Sequence, residues 1–458
     1  MPPVEIKIAY IGGGSRYWAR DVMLDLAQSP HLRGRIDLYD VDHPSAQKNE
    51  GIGNSIFQRP DATARFTVRA VRRVADALKG ADFVVISIEP GPVELRYADL
   101  QIPLAHGVLQ PVGDTTGPGG IMRALRSIGT FTDFGEAIAT HCPRAWVINY
   151  TNPMTLCTAA LFAGFPQIKA FGCCHEVFGT QQRLGELVAE WFGVPVPARH
   201  EIKLEIVGVN HFTWASGATW QGCDLFPKLQ AHIAQPDFFS PRRATTTARA
   251  YRRAEKWFTS PGLVAFDLFR RFGALGAAGD RHLAEFVPWY LANGEDGLMK
   301  WGVTATPFSW RLRRRSLRDH PPESYVTRPL QPSGEEGVMQ IEALAGARDL
   351  YTNVNLPNAG QMPAAPSGFV VETYAHFRRD QLVAAVARPL PPGAQALVSR
   401  IIDVQRITLE AALRRDVALA FQAILADPLV RLSTDEAWKM FTAMLRHTKG
   451  HLPGWPIP

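Results

Sequence analysis

Ile6-Lys7-Ile8-Ala9-Tyr10-Ile11 runs directly into Gly12-Gly13-Gly14-Ser15, and the residues that follow put Trp18, Val22 and Leu26 on one helical face. A short apolar run, a glycine turn and a periodic segment read as buried strand, tight turn and helix. Glycines at such a junction let backbone N–H groups approach a pyrophosphate at the positive end of the helix dipole. Gly12 and Gly14 suit that role, with Ser15 beside them. A second strand, Arg35-Ile36-Asp37-Leu38-Tyr39, ends on Asp40, 26 residues after Gly14. An acidic residue at about that distance receives the adenosine ribose hydroxyls, which favours NAD over NADP. The fingerprint is incomplete, because Tyr17 stands where a third glycine is usual.

Further apolar strands, Val84-Val85-Ile86-Ser87-Ile88 and Trp146-Val147-Ile148-Asn149-Tyr150, are separated by helical lengths. Alternation of this kind implies a parallel sheet with right-handed crossovers. From about residue 199 the pattern becomes more extended, beginning Glu201-Ile202-Lys203-Leu204-Glu205-Ile206-Val207, with prolines at Pro241, Pro321 and Pro363. Apolar residues return at helical spacing from Leu397 through Ile424. The expected fold class is α/β, related to the lactate/malate dehydrogenase fold. A Rossmann-like doubly wound parallel sheet is expected over 1–198. A second α/β (α+β) domain over 199–458 would carry substrate, metal and oligomer contacts.

A chain of 458 residues, 46% hydrophobic and 20% charged, can bury a large core. It carries neither a secretory apolar region nor a stretch of membrane-spanning length, so a cytoplasmic protein with no membrane partner is expected. Its five cysteines, Cys142, Cys157, Cys173, Cys174 and Cys223, lack zinc-ribbon spacing and are expected as reduced thiols. The net charge of +6 is scattered except around Arg311 to Arg315, which reads as a solvated surface run. No nucleic-acid partner is expected.

Four segments place polar residues where an apolar strand ends, which is where open parallel sheets collect ligands. They are Gly113-Asp114-Thr115-Thr116-Gly117-Pro118-Gly119-Gly120, Asn149-Tyr150-Thr151-Asn152-Pro153, Gly172-Cys173-Cys174-His175-Glu176-Val177 and Gly208-Val209-Asn210-His211. Each also reads as a plain loop cap. Asn152 is either the first residue of an Asn-Pro turn or an amide that holds a sugar hydroxyl. Cys174 is either a small buried residue or a thiolate ligand. A thiolate and an imidazole would suit a borderline divalent ion such as manganese, although these spacings do not identify the metal.

Taken in order, the Gly12-Gly13-Gly14-Ser15 opening, the glycine-rich loop at 113 to 120, Thr151-Asn152-Pro153, Cys174-His175-Glu176-Val177 and Gly208-Val209-Asn210-His211 resemble glycoside hydrolase family 4. The resemblance continues through Gly279-Asp280-Arg281-His282-Leu283-Ala284-Glu285-Phe286, Asn355-Leu356-Pro357-Asn358-Ala359-Gly360 and Ala426-Asp427-Pro428-Leu429-Val430, so it spans nearly the whole chain. It implies NAD and usually Mn2+ at the junction of two domains. Cys174 and His211 match the family's metal ligands, and Asn152 matches its substrate-binding asparagine. His175 follows the metal cysteine and is expected at the substrate. Asp114 is expected near the substrate as a hydroxyl contact or the acid, and Asp280 as the base. His282 and Glu285, three apart, are lesser candidates on one helical face.

The family is a known exception to glycosidases that use two carboxylates. What the resemblance implies is transient oxidation at carbon 3 of the sugar, proton removal at carbon 2, elimination at carbon 1 and water addition, with NAD recycled. His175-Glu176-Val177 departs from the pattern of members acting on 6-phosphoglycosides. An unphosphorylated, α-linked glucoside, galactoside or glucuronide is therefore the expected small-molecule glycoside substrate. Arg96 and Arg123, which flank the 113 to 120 loop, would receive a uronate carboxylate, contact the pyrophosphate or lie at the surface. A homodimer or homotetramer is expected. Two competing readings are a lactate/malate dehydrogenase-like oxidoreductase and a non-catalytic NAD-binding protein.

Overall fold

The structure is a computed structural model describing residues 2–240, 261–305, 307–309, 312, 321 and 323–458. Arg311 and Arg313 to Arg315, the basic run noted above, lie outside the described residues. Its strands are β1 (Val4–Ile11), β2 (Leu32–Tyr39), β3 (Arg65–Val71), β4 (Phe83–Ile86), β5 (Trp146–Asn149), β6 (Lys169–Gly172), β7 (Ile202–Val209), β8 (Phe212–Trp220), β9 (Cys223–Asp224), β10 (Leu275–Gly276), β11 (Leu350–Pro357), β12 (Val370–Arg378) and β13 (Gln381–Ala384).

The first six strands are parallel in the order β3-β2-β1-β4-β5-β6. This is the doubly wound arrangement in which the strand order reverses between β1 and β4, opening a crevice at the carboxyl ends. Successive residues of β1 serve opposite faces. Ala9 and Ile11 pack into one core cluster, and Ile8 and Tyr10 into another on the other side of the sheet. Covering both faces requires the continuous apolar strands that the sequence has, and burying each aliphatic side chain contributes roughly 1.5–3 kcal/mol. The Gly117–His141 helix covers the first face with Ile121, Leu125 and Ile128.

The second half adds antiparallel strands to the same sheet. Asn355 of β11 pairs with Gly172 of β6, β12 lies beyond it, and the β7–β8 hairpin follows through Glu372 paired with Gly208. Parallel core and antiparallel extension thus form one sheet, in the expected α/β class. The β4 strand is shorter than its apolar run. Ser87 and Ile88 leave the strand, and the Ile88 N–H donates to Thr151 Oγ1 at 3.0 Å instead of continuing the ladder. Among the described residues, no helix is long and apolar enough to cross a membrane.

Candidate active site

The carboxyl ends of β1, β4 and β5 border a groove of about 1010 Å3 that runs from Asp40 past Gly12 and Gly14 to Asp114 and Asn152. The glycine turn is shaped by close approach. A Cβ on Gly12, at φ +93°, would come 1.9 Å from the Ser87 carbonyl oxygen, and one on Gly14 2.8 Å from Ser45 Cβ. Buried Asn49 holds the turn from below, its amide donating to the carbonyl oxygens of Gly13 at 2.7 Å and Ser15 at 2.8 Å. Ser15 Oγ accepts from the Trp18 N–H at 3.1 Å. Asp40 accepts from the N–H groups of Gly14 at 2.8 Å and Asp42 at 2.9 Å, so it organises the turn as well as lining the groove. The turn thus admits no side chain at either glycine, and with Ser15 and Asp40 it lines a groove that fits a dinucleotide.

At the far end, Asp114, His211 and His282 each offer a ligand atom within 4.8 Å of the others. His211 comes from the two-residue turn of the β7–β8 hairpin and is held at φ +66°, a backbone conformation that a non-glycine residue keeps only where its surroundings impose it. Its Nδ1 lies 2.8 Å from Thr115 Oγ1, which also donates to Asp114 Oδ1 at 2.8 Å. The rings of His211 and His282 pack against each other with centroids 3.9 Å apart. Burial and His282 lower the pKa of His211 to about 3, against the pull of Asp114 and Glu176, so its imidazole is neutral. Burial opposes the charge of Asp114, but His282, His211, Arg96 and Arg123 hold its carboxyl well below the usual range. Two imidazoles and a carboxylate, with His282 Nδ1 buried and lacking a hydrogen-bond partner, suit a borderline divalent ion.

Cys174 is not part of that trio. It is buried at the end of β6, beside Asn210 and Glu176, and its thiol pKa is pushed up by burial, Glu372 and Glu176. Glu176 links the two groups. Its Oε2 accepts from the Gly279 N–H at 2.7 Å, and its Oε1 lies 3.7 Å from His282 Nε2. Burial alone would raise its pKa, but His282, His211 and His175 bring it down to about 2. His175 turns outward, 2.9 Å from Glu335 and stacked on Trp18 at 5.9 Å. Asp280 is fully buried at the start of the Asp280–Phe286 helix, with Oδ1 accepting from the Ala265 N–H at 3.1 Å. Asn152 faces the groove with a buried Oδ1 that has no hydrogen-bond partner, while its backbone oxygen accepts from Arg123 at 2.8 Å.

The loop carrying Asp114 and Thr115 is fastened from the second half of the chain. Glu285 accepts from the N–H groups of Val112 at 2.5 Å and Gly113 at 2.9 Å, and Arg281 donates to the Pro111 oxygen at 2.9 Å. Asp427 accepts from Gly117 and Thr116.

The family 4 glycosyl hydrolase model matches residues 7–190, and the family's C-terminal domain model matches residues 206–430. The chain is 46% identical over 462 residues to an alpha-galacturonidase of Thermoanaerobacterium saccharolyticum, covering 99% of this chain and 98% of that one. This protein belongs to glycosyl hydrolase family 4. The crystal structure of lplD from Bacillus subtilis resembles this family 4 chain with a TM-score of 0.87 at 41% identity, over 96% of this chain and 100% of that one. A 6-phospho-alpha-glucosidase from gut microorganisms, solved with NAD and Mn2+, shares the fold at 17% identity and a TM-score of 0.78, over 99% of this chain and 100% of that one.

In this family 4 hydrolase Gly12, Gly14, Asp40, Asp114 and Asn152 line the groove and His211 joins Asp114, while Cys174 lies apart; the contacts that organise them are not visible in the sequence. His282, ranked below Asp280, is the member of its helix that joins Asp114 and His211. Glu285, three residues on, faces the same loop through its backbone. Glu176 was read only as part of a substrate motif, although an anion two residues after a candidate ligand was the available signal. Thr115 and Asp427 stand within motifs that give them no individual role, and Asn49 carries no local signal.

Proposed function

We propose that this chain hydrolyses α-linked galacturonides at the junction of a dinucleotide groove and a divalent-metal site. The observation that carries this reading is the meeting of Asp114, Asn152 and His211 at the end of a groove that begins at Asp40. A uronate is supported by the 46% identical alpha-galacturonidase. It is also supported by Arg96, which lines the groove 3.4 Å from Asp114 with its Nε buried and unpartnered. A carboxylate satisfies a guanidinium in two-point geometry, which a neutral hydroxymethyl group does not. His175, which follows the candidate metal cysteine, is engaged by Glu335 at 2.9 Å.

In this reading Gly12, Gly14 and Ser15 receive the pyrophosphate of NAD, and Asp40 receives its ribose. His211 and Cys174 hold the metal, with Asp114 and His282 adjoining. When bound, NAD supplies a reversible hydride acceptor and a divalent ion such as Mn2+ supplies Lewis acidity for charge developing on sugar oxygens. The chain's own residues do the positioning. Asn152 Oδ1 accepts a sugar hydroxyl, Arg96 orients the uronate, and ionised Asp114 accepts a hydroxyl hydrogen bond. Asp280 is the assigned base at carbon 2. Buried walls exclude water from a site whose geometry must hold reacting atoms in contact.

The test is hydrolysis of 4-nitrophenyl α-galacturonide, α-galactoside and α-glucoside by protein stripped of nucleotide and metal, then resupplied with NAD and Mn2+. Galacturonide turnover that returns only with both additions is expected. Turnover by the stripped protein without either would sink the mechanism, and a preference for the neutral galactoside would sink the substrate.

A further inference from the structure

We propose that Thr115 is a positioning residue that fixes His211 in the tautomer carrying its proton on Nδ1, so that Nε2 is the nitrogen offered to the metal. The inference rests on the metal site described above and specifies how the chain prepares it. A threonine hydroxyl has one proton. Thr115 Oγ1 lies 2.8 Å from Asp114 Oδ1 and 2.8 Å from His211 Nδ1. Asp114 Oδ1 is the acceptor in its bond with the Thr115 hydroxyl, and Arg96 approaches the same carboxylate at 3.4 Å. The hydroxyl proton therefore goes to Asp114. The threonine oxygen then serves His211 only as an acceptor, and Nδ1 must bring the hydrogen. A neutral imidazole with hydrogen on Nδ1 has its lone pair on Nε2.

The rings of His211 and His282 pack against each other, tilted by 36° with centroids 3.9 Å apart. Both turn Nδ1 toward Asp114 Oδ1, at 3.8 Å and 3.9 Å. The opposite side of the His282 ring, Nε2, is 3.7 Å from Glu176 Oε1. With Nδ1 of His211 committed to Thr115, Nε2 is the nitrogen left to a metal, and Cys174, beside Glu176, is the other half of the proposed donor pair. A metal on Nε2 leaves the Thr115 bond intact, whereas a metal on Nδ1 would have to displace it. Outer hydrogen-bond partners of this kind typically change metal affinity by about 10–100-fold when removed.

The experiment compares the wild type with Thr115→Val, Thr115→Ser and His211→Ala. Mn2+ binding is measured by electron paramagnetic resonance, NAD affinity by fluorescence, and the tautomer by long-range proton–nitrogen correlation on 15N-histidine-labelled, metal-free protein. The expected result is an Nδ1–H tautomer for His211 in the wild type. Thr115→Val should lose that preference and about 10–100-fold in Mn2+ affinity with NAD affinity unchanged, and Thr115→Ser should restore both. An Nε2–H tautomer in the wild type overturns the inference. So does Mn2+ affinity that Thr115→Val leaves untouched while His211→Ala abolishes it, and in that case the metal site itself stands. Affinity indifferent to His211→Ala removes the metal site and the inference together.

Discussion

Asp427 accepts the backbone N–H of Gly117 at 2.9 Å, joining residues 310 apart in the chain. Gly117 opens the Gly117–His141 helix, and Thr116, whose hydroxyl donates to the same Asp427 oxygen at 3.2 Å, is two residues from Asp114. The other Asp427 oxygen accepts from the Leu429 N–H at 2.9 Å. One buried carboxylate thus caps the helix in trans and sets where the Asp114 loop ends. Asp427→Asn keeps the shape but turns an amide N–H toward donors that need an acceptor. A loss of about 1–3 kcal/mol in stability is expected, together with a fall in kcat because Asp114 is displaced. Thermal denaturation and galacturonide turnover check this. A variant that melts early yet turns over normally would confine Asp427 to a structural role.

Glu285 fastens the other end of the same loop and gives the protein a weakness as pH rises. Burial raises its pKa to about 8, against the Val112 and Gly113 N–H groups and Arg281, with Asp114 adding to the rise. The folded value is above the ordinary carboxylate value of about 4.3. Its contribution to stability is therefore fully present below about pH 4.3 and is lost as pH rises through 8. Glu285→Gln keeps an oxygen for the two N–H groups and cannot ionise. Urea unfolding of the wild type should weaken between about pH 5 and 8 by at most about 1.4 kcal/mol per pH unit and level off above 8, and the Gln variant should be flat by comparison. Parallel curves for the two proteins would place the loss elsewhere.

What the sequence made legible was local. Strand, glycine turn and helix from Ile6 to Leu26 announce themselves because the apolar period changes within a few residues, and Asp40 follows at a spacing set by one strand and one helix. The insertion of β11 beside β6 is not of that kind. Its pairing through Asn355 and Gly172 depends on which distant strand covers an open edge, and no local pattern encodes that. Within the site, Asn152, Cys174 and His211 are visible because each follows closely on the end of a strand. The Asp280–Phe286 helix was visible only as a set of polar residues. Which of them turns toward Asp114 depends on how the helix is seated by Arg281 and Glu285 against Pro111 to Gly113, a contact across more than half of the site's sequence separation.

Asp280 has two assignments that one variant separates. Its Oδ1 accepts from the Ala265 N–H at 3.1 Å, near the start of the Leu263–Phe272 helix. As the base of the proposed reaction it must also reach the proton at carbon 2. Asp280→Asn preserves size and an acceptor for Ala265, so a general base should be lost with little change in melting temperature. A fall in turnover of about 10²–10⁴-fold is expected, with exchange of the carbon 2 proton into deuterium oxide lost in parallel. Unchanged exchange and turnover would leave Asp280 as a helix-capping residue only.

Two donor sets compete for the metal, and they respond oppositely to two substitutions. Asp114, His211 and His282 form a mutual group on the Thr115 side, whereas Cys174 lies on the Glu176 side with Asn210. If His211 binds through Nε2, Cys174→Ser removes a ligand and His282→Ala removes only a neighbouring ring. Cys174→Ser should then weaken Mn2+ binding at least about tenfold and abolish Mn2+-dependent turnover with NAD affinity retained. His282→Ala should cost less in Mn2+ affinity than Cys174→Ser, because the Thr115 bond still fixes His211. Titration of each variant with Mn2+, followed by electron paramagnetic resonance, orders the two losses. A larger loss in His282→Ala would assign the ion to the Asp114 side, and loss of NAD affinity in Cys174→Ser would put the cysteine at the groove instead of the metal.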